Sequence, residues 1–397
     1  MNKYEIRDKA KLYTKYVMRI ILKFFWVFPI KQRTIFFMAN MGKGYLCNPK
    51  YIFKSMINSP EFNEYKFVWC FQDPSLVDQT DFDKRTTIIK KKNYLAYFYY
   101  LLSSGIVIYN CGGFSYAPIR KKQLLIETWH GGGAFKKVGL VVDNKSISSK
   151  RGIQLAMKDV KIFLSSCELA TNALIREAMG YEGCVLNSGF PRNDILFHDN
   201  TTLKQSIRKR LHVDNDNNII LYAPTFRGDE KHAVEFNTKA ETINPVMIKD
   251  AFTKKYGGKW TFYTRGHLYS NDIVLSGADG DWSKYPDMQE LLLIADVLIT
   301  DYSSSIWDFA ITGKKSFLFV PDLDEYENNE RGFLTPFDKW PGIKVTSNID
   351  FVEKILNFSD KELEIKANLF MVDCVSYEKG NACKIIKDAI RNSKRFL

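Results

Sequence analysis

The strongest constraint on this chain is an alternation that runs through most of its length and is interrupted once. Short apolar runs at residues 34–38, 66–71, 86–89, 106–109, 124–128, 162–165 and 185–187 read as strands, and stretches such as 93–102 and 168–179 carry helical periodicity between them. Strands alternating with helices build parallel sheet from βαβ units. Residues 198–218 break the pattern with a charged helix and the run Asp214-Asn215-Asp216-Asn217-Asn218. The alternation then resumes: strands are predicted at 219–223, 260–264, 297–300 and 316–320, and helices at 245–255, 288–294, 304–312 and twice within 350–392. The economical architecture is α/β, with two Rossmann-like domains facing a cleft. The expected domains are 34–205 and 206–397, with the last helices free to pack back on the first domain. Ligands of such sheets bind beyond the carboxyl ends of the strands, so the residues just after each strand carry the functional argument.

Composition narrows the class. A chain of 397 residues, 45% hydrophobic and 26% charged, can bury sizeable cores and is not disordered. Its seven cysteines are odd in number and never spaced C-x-x-C, which suits a reducing compartment and neither a disulfide framework nor a zinc site. No apolar run approaches the roughly 20 residues of a membrane-spanning helix, and the charged lead is too long for a good signal peptide. The net charge of +12 is concentrated at the start, where residues 1–33 hold nine basic and two acidic residues.

There Arg7, Lys11, Lys15, Arg19 and Lys23 recur every four residues, and Ile6, Ala10, Tyr13, Val17, Ile20, Phe24 and Phe28 recur at three or four. On a helix these make one basic and one apolar stripe. The pattern predicts a basic amphipathic helix over 1–33 that lies on an anionic membrane surface. The bland alternative is a surface helix whose apolar stripe packs on its own domain. A nucleic-acid arm is disfavoured by this much aliphatic surface, so no nucleic acid is expected as a partner.

Three strand-end clusters could carry chemistry. In Glu127-Thr128-Trp129-His130-Gly131-Gly132-Gly133, followed by Lys136-Lys137, a strand ends on a histidine placed to take a proton, and glycine amides and lysines can face phosphate oxygens. A glycine-rich turn with a structural histidine is the alternative. In Thr300-Asp301-Tyr302-Ser303-Ser304-Ser305, serines stand where a helix should start, a place suited to an anion. Simple capping by Ser303 or Ser304, with Asp308 in a capping-box role, is compatible with that. The third cluster joins the strand ends Tyr222-Ala223-Pro224-Thr225-Phe226-Arg227 and Tyr263-Thr264-Arg265-Gly266-His267. If both strands neighbour the one ending at Thr300, their cations converge on one anionic ligand. The D-x-D spacings (Asp81/Asp83, Asp214/Asp216, Asp279/Asp281, Asp322/Asp324) do not directly follow buried strands, except in the last case. A metal-bound diphosphate is therefore disfavoured, and neither metal nor cofactor is expected.

In this order, and with Gly189-Phe190-Pro191-Arg192-Asn193-Asp194, Arg331-Gly332-Phe333 and Pro341-Gly342, these motifs are what carries a resemblance over roughly residues 30–395. The chain resembles the CDP-glycerol:polyglycerophosphate glycerophosphotransferase family of teichoic acid primases and polymerases. The resemblance implies a GT-B-like fold, with the acceptor side in the N-terminal domain and the donor nucleotide held mainly by the C-terminal one. It implies a CDP-polyol donor, glycerol phosphate first, and a lipid-linked cell-wall or capsule glycan acceptor. It also implies peripheral attachment at the cytoplasmic face of the cell membrane. By position, His130 looks like the general base, and His267, Arg265, Ser303 and Ser304 like the pyrophosphate clamp. Gly131, Arg227, Thr300, Asp301, Ser305 and Arg331 are further expected donor contacts, and His267 is also a catalytic candidate. Departures at Gly132-Gly133, Leu268 and residues 334–338 leave the polyol and the acceptor open. The alternative is a GT-B glycosyltransferase using a nucleotide sugar.

Overall fold

A computed structural model describes residues 3–143, 145–198, 200–225, 228–229, 232–233, 241–266, 275–329 and 332–393. The chain divides into two compact units: Met1–His130 with Lys137–Asp194 and Tyr377–Leu397, and Gly131–Lys136 with Ile195–Ser376.

The first unit is built on a seven-stranded sheet, β1 (Lys31–Met38), β2 (Lys66–Phe71), β3 (Thr86–Lys90), β4 (Ser104–Tyr109), β5 (Leu124–Glu127), β6 (Ile162–Ser165) and β7 (Cys184–Asn187). Its order is β3-β2-β1-β4-β5-β6-β7 and every pairing is parallel. Strands covered on both faces need no polar alternation, which is why β4 and β5 are buried along their whole length. On one face Phe37, Phe53, Phe67 and Trp69 pack with Ile386 and Ile390 of the Ala382–Arg391 helix. The 168–179 segment winds as a π-helix, Ala170–Ala178. The Cys47–Ile57 helix has no counterpart in the sequence expectation; Pro49 sits in its first turn, where a missing N–H costs nothing.

At the start of the chain a helix covers Lys3–Ile21 and a 3-10 turn covers Leu22–Val27. Two of the five stripe cations are turned into the unit. Lys15 Nζ donates to the Ser148 carbonyl at 2.9 Å, and Arg19 donates to the Ala117 carbonyl and to Asp159 Oδ2, both at 2.8 Å. Asp8 accepts from the Ser148 N–H at 2.9 Å. The apolar stripe faces out: Tyr13 is 71% exposed, Ile20 68% and Phe24 74%. No described helix is long and apolar enough to cross a membrane.

The second unit carries a six-stranded parallel sheet of β8 (Asn217–Tyr222), β11 (Lys259–Thr264), β12 (Gly280–Asp281), β13 (Val297–Thr300), β14 (Lys315–Phe319) and β15 (Ile343–Val345), in the order β12-β11-β8-β13-β14-β15. The short pair β9 (Gly228–Asp229) and β10 (His232–Ala233) is antiparallel and separate. Its helices begin where side chains can take the free amides. Asn244 caps Pro245–Tyr256, Asp287 caps Met288–Ile294, and Ser359 with Glu362 makes a capping box for Asp360–Asp373. Phe252, Phe262, Phe317 and Phe351 centre the core.

Both main sheets thus start from an inner strand, grow outward to one side, and then return to grow on the other. The order of strand addition reverses between β1 and β4 in the first and between β8 and β13 in the second. Such reversals splay the loops apart and leave a crevice at the carboxyl edge.

Candidate active site

In the first unit, the crevice edge is formed by the residues that follow β1, β4 and β5. Asn40 and Asn110, just past β1 and β4, bond reciprocally: Asn110 Nδ2 donates to Asn40 Oδ1 at 2.9 Å, and the Asn40 N–H donates to Asn110 Oδ1 at 2.7 Å. The backbone carbonyl of Asn110 lies 3.0 Å from His130 Nδ1. A carbonyl can only accept, so neutral His130 carries its proton on Nδ1 and keeps the lone pair of Nε2 as an acceptor. His130 has an exposed face, yet the protein around it desolvates the cation and holds its pKa below the usual histidine value; the Arg192 charge acts in the same direction and the Asn110 bond opposes it.

The peptide that carries His130 is constrained on every side. Trp129 has φ +54°, a left-handed conformation uncommon outside glycine, and its ring packs 4.7 Å from the imidazole. Glu127 Oε1 accepts from the Trp129 N–H at 2.9 Å. Asn48 Nδ2 donates to the carbonyls of Thr128 and Trp129, each at 3.0 Å, and Arg192 Nη1 donates to the His130 carbonyl at 2.5 Å. Burial pushes the Glu127 carboxyl up to about 8, against the opposing pull of the Trp129 N–H, so it is predominantly neutral at pH 7.

In the second unit, β8 lies between β11 and β13, so the three strand ends singled out in the sequence are consecutive in the sheet. Thr300 Oγ1 donates to the Ala223 carbonyl at 2.6 Å, and Asp301 Oδ1 accepts from the N–H groups of Thr225 at 2.7 Å and Tyr302 at 2.6 Å. Thr300 and Asp301 are buried and tie β13 to the loop after β8. Ser303 Oγ accepts from the Ser305 N–H at 3.2 Å and from its hydroxyl at 3.1 Å, while Ser304 occupies the cap position of the Ser305–Ala310 helix without a side-chain cap bond. Asp308 does not complete a capping box: it is buried and accepts from Gln289 Nε2 at 3.0 Å. Ser303 and Ser304 are half-buried, Ser305 buried.

Arg265, just past β11, donates from Nη2 to the Tyr285 carbonyl at 3.3 Å, while its buried Nε finds no hydrogen-bond partner among the described residues. Desolvation lowers its pKa, opposed by Asp287 and Asp281. Arg227, His267 and Arg331 lie outside the described residues. Gly131 begins the short stretch that belongs to this unit. That stretch is fixed by Leu334 N–H to the Phe135 carbonyl at 2.8 Å and by the Phe135 ring 4.4 Å from Trp340. A Cβ at Gly132 would overlap the Trp307 indole.

Asn40 and Asn48 were not legible as candidates, because Asn40 meets Asn110 across 70 positions and Asn48 meets the Thr128 and Trp129 carbonyls across 80 and 81, and Asn110 carries no signal of its own. Glu127 did carry a signal, a carboxylate closing an apolar strand three residues before a histidine. The Gly189–Asp194 motif has an architectural share: Glu378 accepts from the Phe190 N–H at 3.0 Å and from Asn193 Nδ2 at 3.1 Å, and Asp194 caps the Ala382–Arg391 helix.

Two parallel, doubly wound α/β sheets with polar residues just past their strands define an α/β class of protein whose ligands bind beyond the carboxyl edges. The chain belongs to the CDP-Glycerol:Poly(glycerophosphate) glycerophosphotransferase family, whose model matches residues 20–392, and it is an enzyme. A teichoic acid poly(glycerol phosphate) polymerase of Bacillus spizizenii is 26% identical over 96% of this chain and 99% of its own. Another, from Staphylococcus epidermidis, is 28% identical over 91% of this chain, which spans 51% of that protein's length. Among solved structures, the wall teichoic acid polymerase TagF superposes with a TM-score of 0.79 at 25% identity, covering 100% of this chain and 99% of that one.

Proposed function

We propose that this enzyme transfers glycerol phosphate from CDP-glycerol to a hydroxyl of a lipid-linked cell-wall or capsule glycan. The observation that carries the reading is family membership together with a histidine just past β5 whose Nδ1 meets the Asn110 carbonyl beside the reversal point of the first sheet. In this mechanism the acceptor hydroxyl oxygen attacks the phosphorus that bears glycerol. The bond from that phosphorus to the bridging oxygen breaks, CMP leaves with the electron pair, and the hydroxyl proton passes to His130 Nε2. Phosphoryl-type transfer depends on positioning and on neutralising charge rather than on covalent catalysis. The second unit serves as the donor side, with Arg265, Ser303, Ser304 and Ser305 facing the diphosphate and Arg227, His267, Gly131 and Arg331 as further contacts. Thr300 and Asp301 shape the loop that presents them. The first unit serves the acceptor, in a GT-B-like enzyme.

The outward apolar face of the first helix supports attachment to the cytoplasmic face of the membrane, where a lipid-linked acceptor resides. Of the five stripe cations, Arg7, Lys11 and Lys23 remain exposed for anionic head groups.

The test is incubation of the purified protein with CDP-glycerol, CDP-ribitol or nucleotide sugars and a lipid-linked disaccharide, with released nucleotide quantified by chromatography. Acceptor-dependent CMP from CDP-glycerol, lost in His130→Ala, is the expected result. Release of UDP or UMP from a nucleotide sugar, with neither CDP-polyol consumed, would overturn it.

A further inference from the structure

We propose that Asn48 and Glu127 are positioning residues: together they hold the left-handed turn at Trp129 and so fix one orientation and one tautomer of His130. The inference rests on the reading of His130 as general base. A tryptophan at φ +54° is strained unless its surroundings over-determine it. Here they do. Glu127 takes the N–H of Trp129, and Asn48 takes its carbonyl together with that of Thr128. Both side chains are buried, Asn48 fully and Glu127 at 2% exposure, so neither trades these bonds for water.

The arrangement is closed rather than a set of separate contacts. Asn48 Oδ1 accepts from the Arg192 N–H at 3.2 Å, and the Arg192 guanidinium returns to the His130 carbonyl. Asn48 therefore sets both the peptide before His130 and the residue that holds the peptide after it. On the far side, the Asn40–Asn110 pair orients the one carbonyl that receives Nδ1–H. If the turn relaxes to an ordinary β or α conformation, the imidazole swings off that carbonyl and both ring nitrogens become available to the proton. A misplacement of about 1 Å can cost on the order of 100-fold in rate, which sets the scale of the effect.

Three variants of the full chain test this. Asn48→Asp keeps the acceptor for the Arg192 N–H and removes both donors. Glu127→Met fills the same volume without an acceptor, and Glu127→Gln restores an acceptor oxygen. The ring-nitrogen shifts of His130 in ¹⁵N-histidine-labelled protein, assigned by their loss in His130→Gln, report the tautomer without any turnover. The expected result is a single Nδ1–H tautomer in the parent and a mixture in Asn48→Asp and Glu127→Met. With it, kcat should fall about 10- to 100-fold while KM for CDP-glycerol stays within about twofold, and Glu127→Gln should recover most of both. An unchanged His130 spectrum in both Asn48→Asp and Glu127→Met overturns the proposal. If His130→Gln itself turns over like the parent, the general-base reading fails, while the ring spectra still decide whether the two residues hold the turn.

Discussion

In the proposed mechanism a single ring, that of His130, takes the acceptor proton, and its environment makes a signed prediction. His130 is desolvated by surrounding protein and faces the positive charge of Arg192, and these outweigh the bond to the Asn110 carbonyl, so its pKa lies below the usual value of 6.5. A base works only when unprotonated, so activity belongs to the high-pH side of that titration. As pH falls through the depressed pKa the imidazole protonates and the rate drops. We therefore predict an acid limb of kcat/KM with its midpoint below about 6.5. A pH–rate profile with saturating acceptor checks this; a limb centred above 7 would assign the base role to another group. His130, Gly131 and the serines were legible because reactive residues after apolar strands stand out in a linear pattern. The clamp around Trp129 was not, since Asn48 and Arg192 announce nothing until the fold brings them to the same peptide.

At the scale of elements, the helix Lys3–Ile21 shows what periodicity can and cannot tell. Spacing at three and four fixes which residues share a stripe, and the stripes were readable. Which stripe faces the protein depends on acceptors far along the chain. Here Ser148, Ala117 and Asp159 supply them, so Lys15 and Arg19 turn inward and the apolar stripe is left outside. The buried strands were easier: β2, β6 and β13 coincide with the expected apolar runs, because a strand covered on both faces is apolar throughout. The Cys47–Ile57 helix escaped because its apolar and polar residues do not separate into a clear stripe. From the outward stripe follows a prediction. Ile20→Ser and Phe24→Ser should each weaken partition onto anionic vesicles by on the order of 10-fold, from the lost transfer of one apolar side chain. Thermal stability in solution should be unaffected, because both side chains are already exposed. Co-sedimentation with phosphatidylglycerol vesicles, alongside a melting curve, separates the two; equal binding by parent and double variant would remove this helix as the attachment face.

At the scale of the whole molecule, the chain's last segment covers one face of its first sheet. Residues 377–397 belong to the first unit although the second unit's residues precede them. The return is fastened by polar groups at its entry and by apolar ones beyond. The Tyr377 N–H donates to the Ser166 carbonyl at 2.8 Å, Glu378 accepts from Phe190 and Asn193, and Asp194 takes the first amides of the Ala382–Arg391 helix. Ile386 and Ile390 then enter the same cluster as Phe37 and Trp69. The loop that receives this segment is the one that supplies Arg192 to the His130 carbonyl, so the end of the chain and the candidate base are held by neighbouring residues of one motif. Glu378→Ala should therefore cost more than a surface change: it strips a shared acceptor from two buried donors, each worth on the order of 1–3 kcal/mol. Glu378→Gln keeps one acceptor oxygen and should cost less. Deleting 377–397 should prevent the first unit from folding, since it opens its aromatic core to water. Urea denaturation followed by tryptophan fluorescence orders the three variants. A Glu378→Ala midpoint equal to the parent's would mean that the apolar contacts of Ile386 and Ile390 alone hold the return in place.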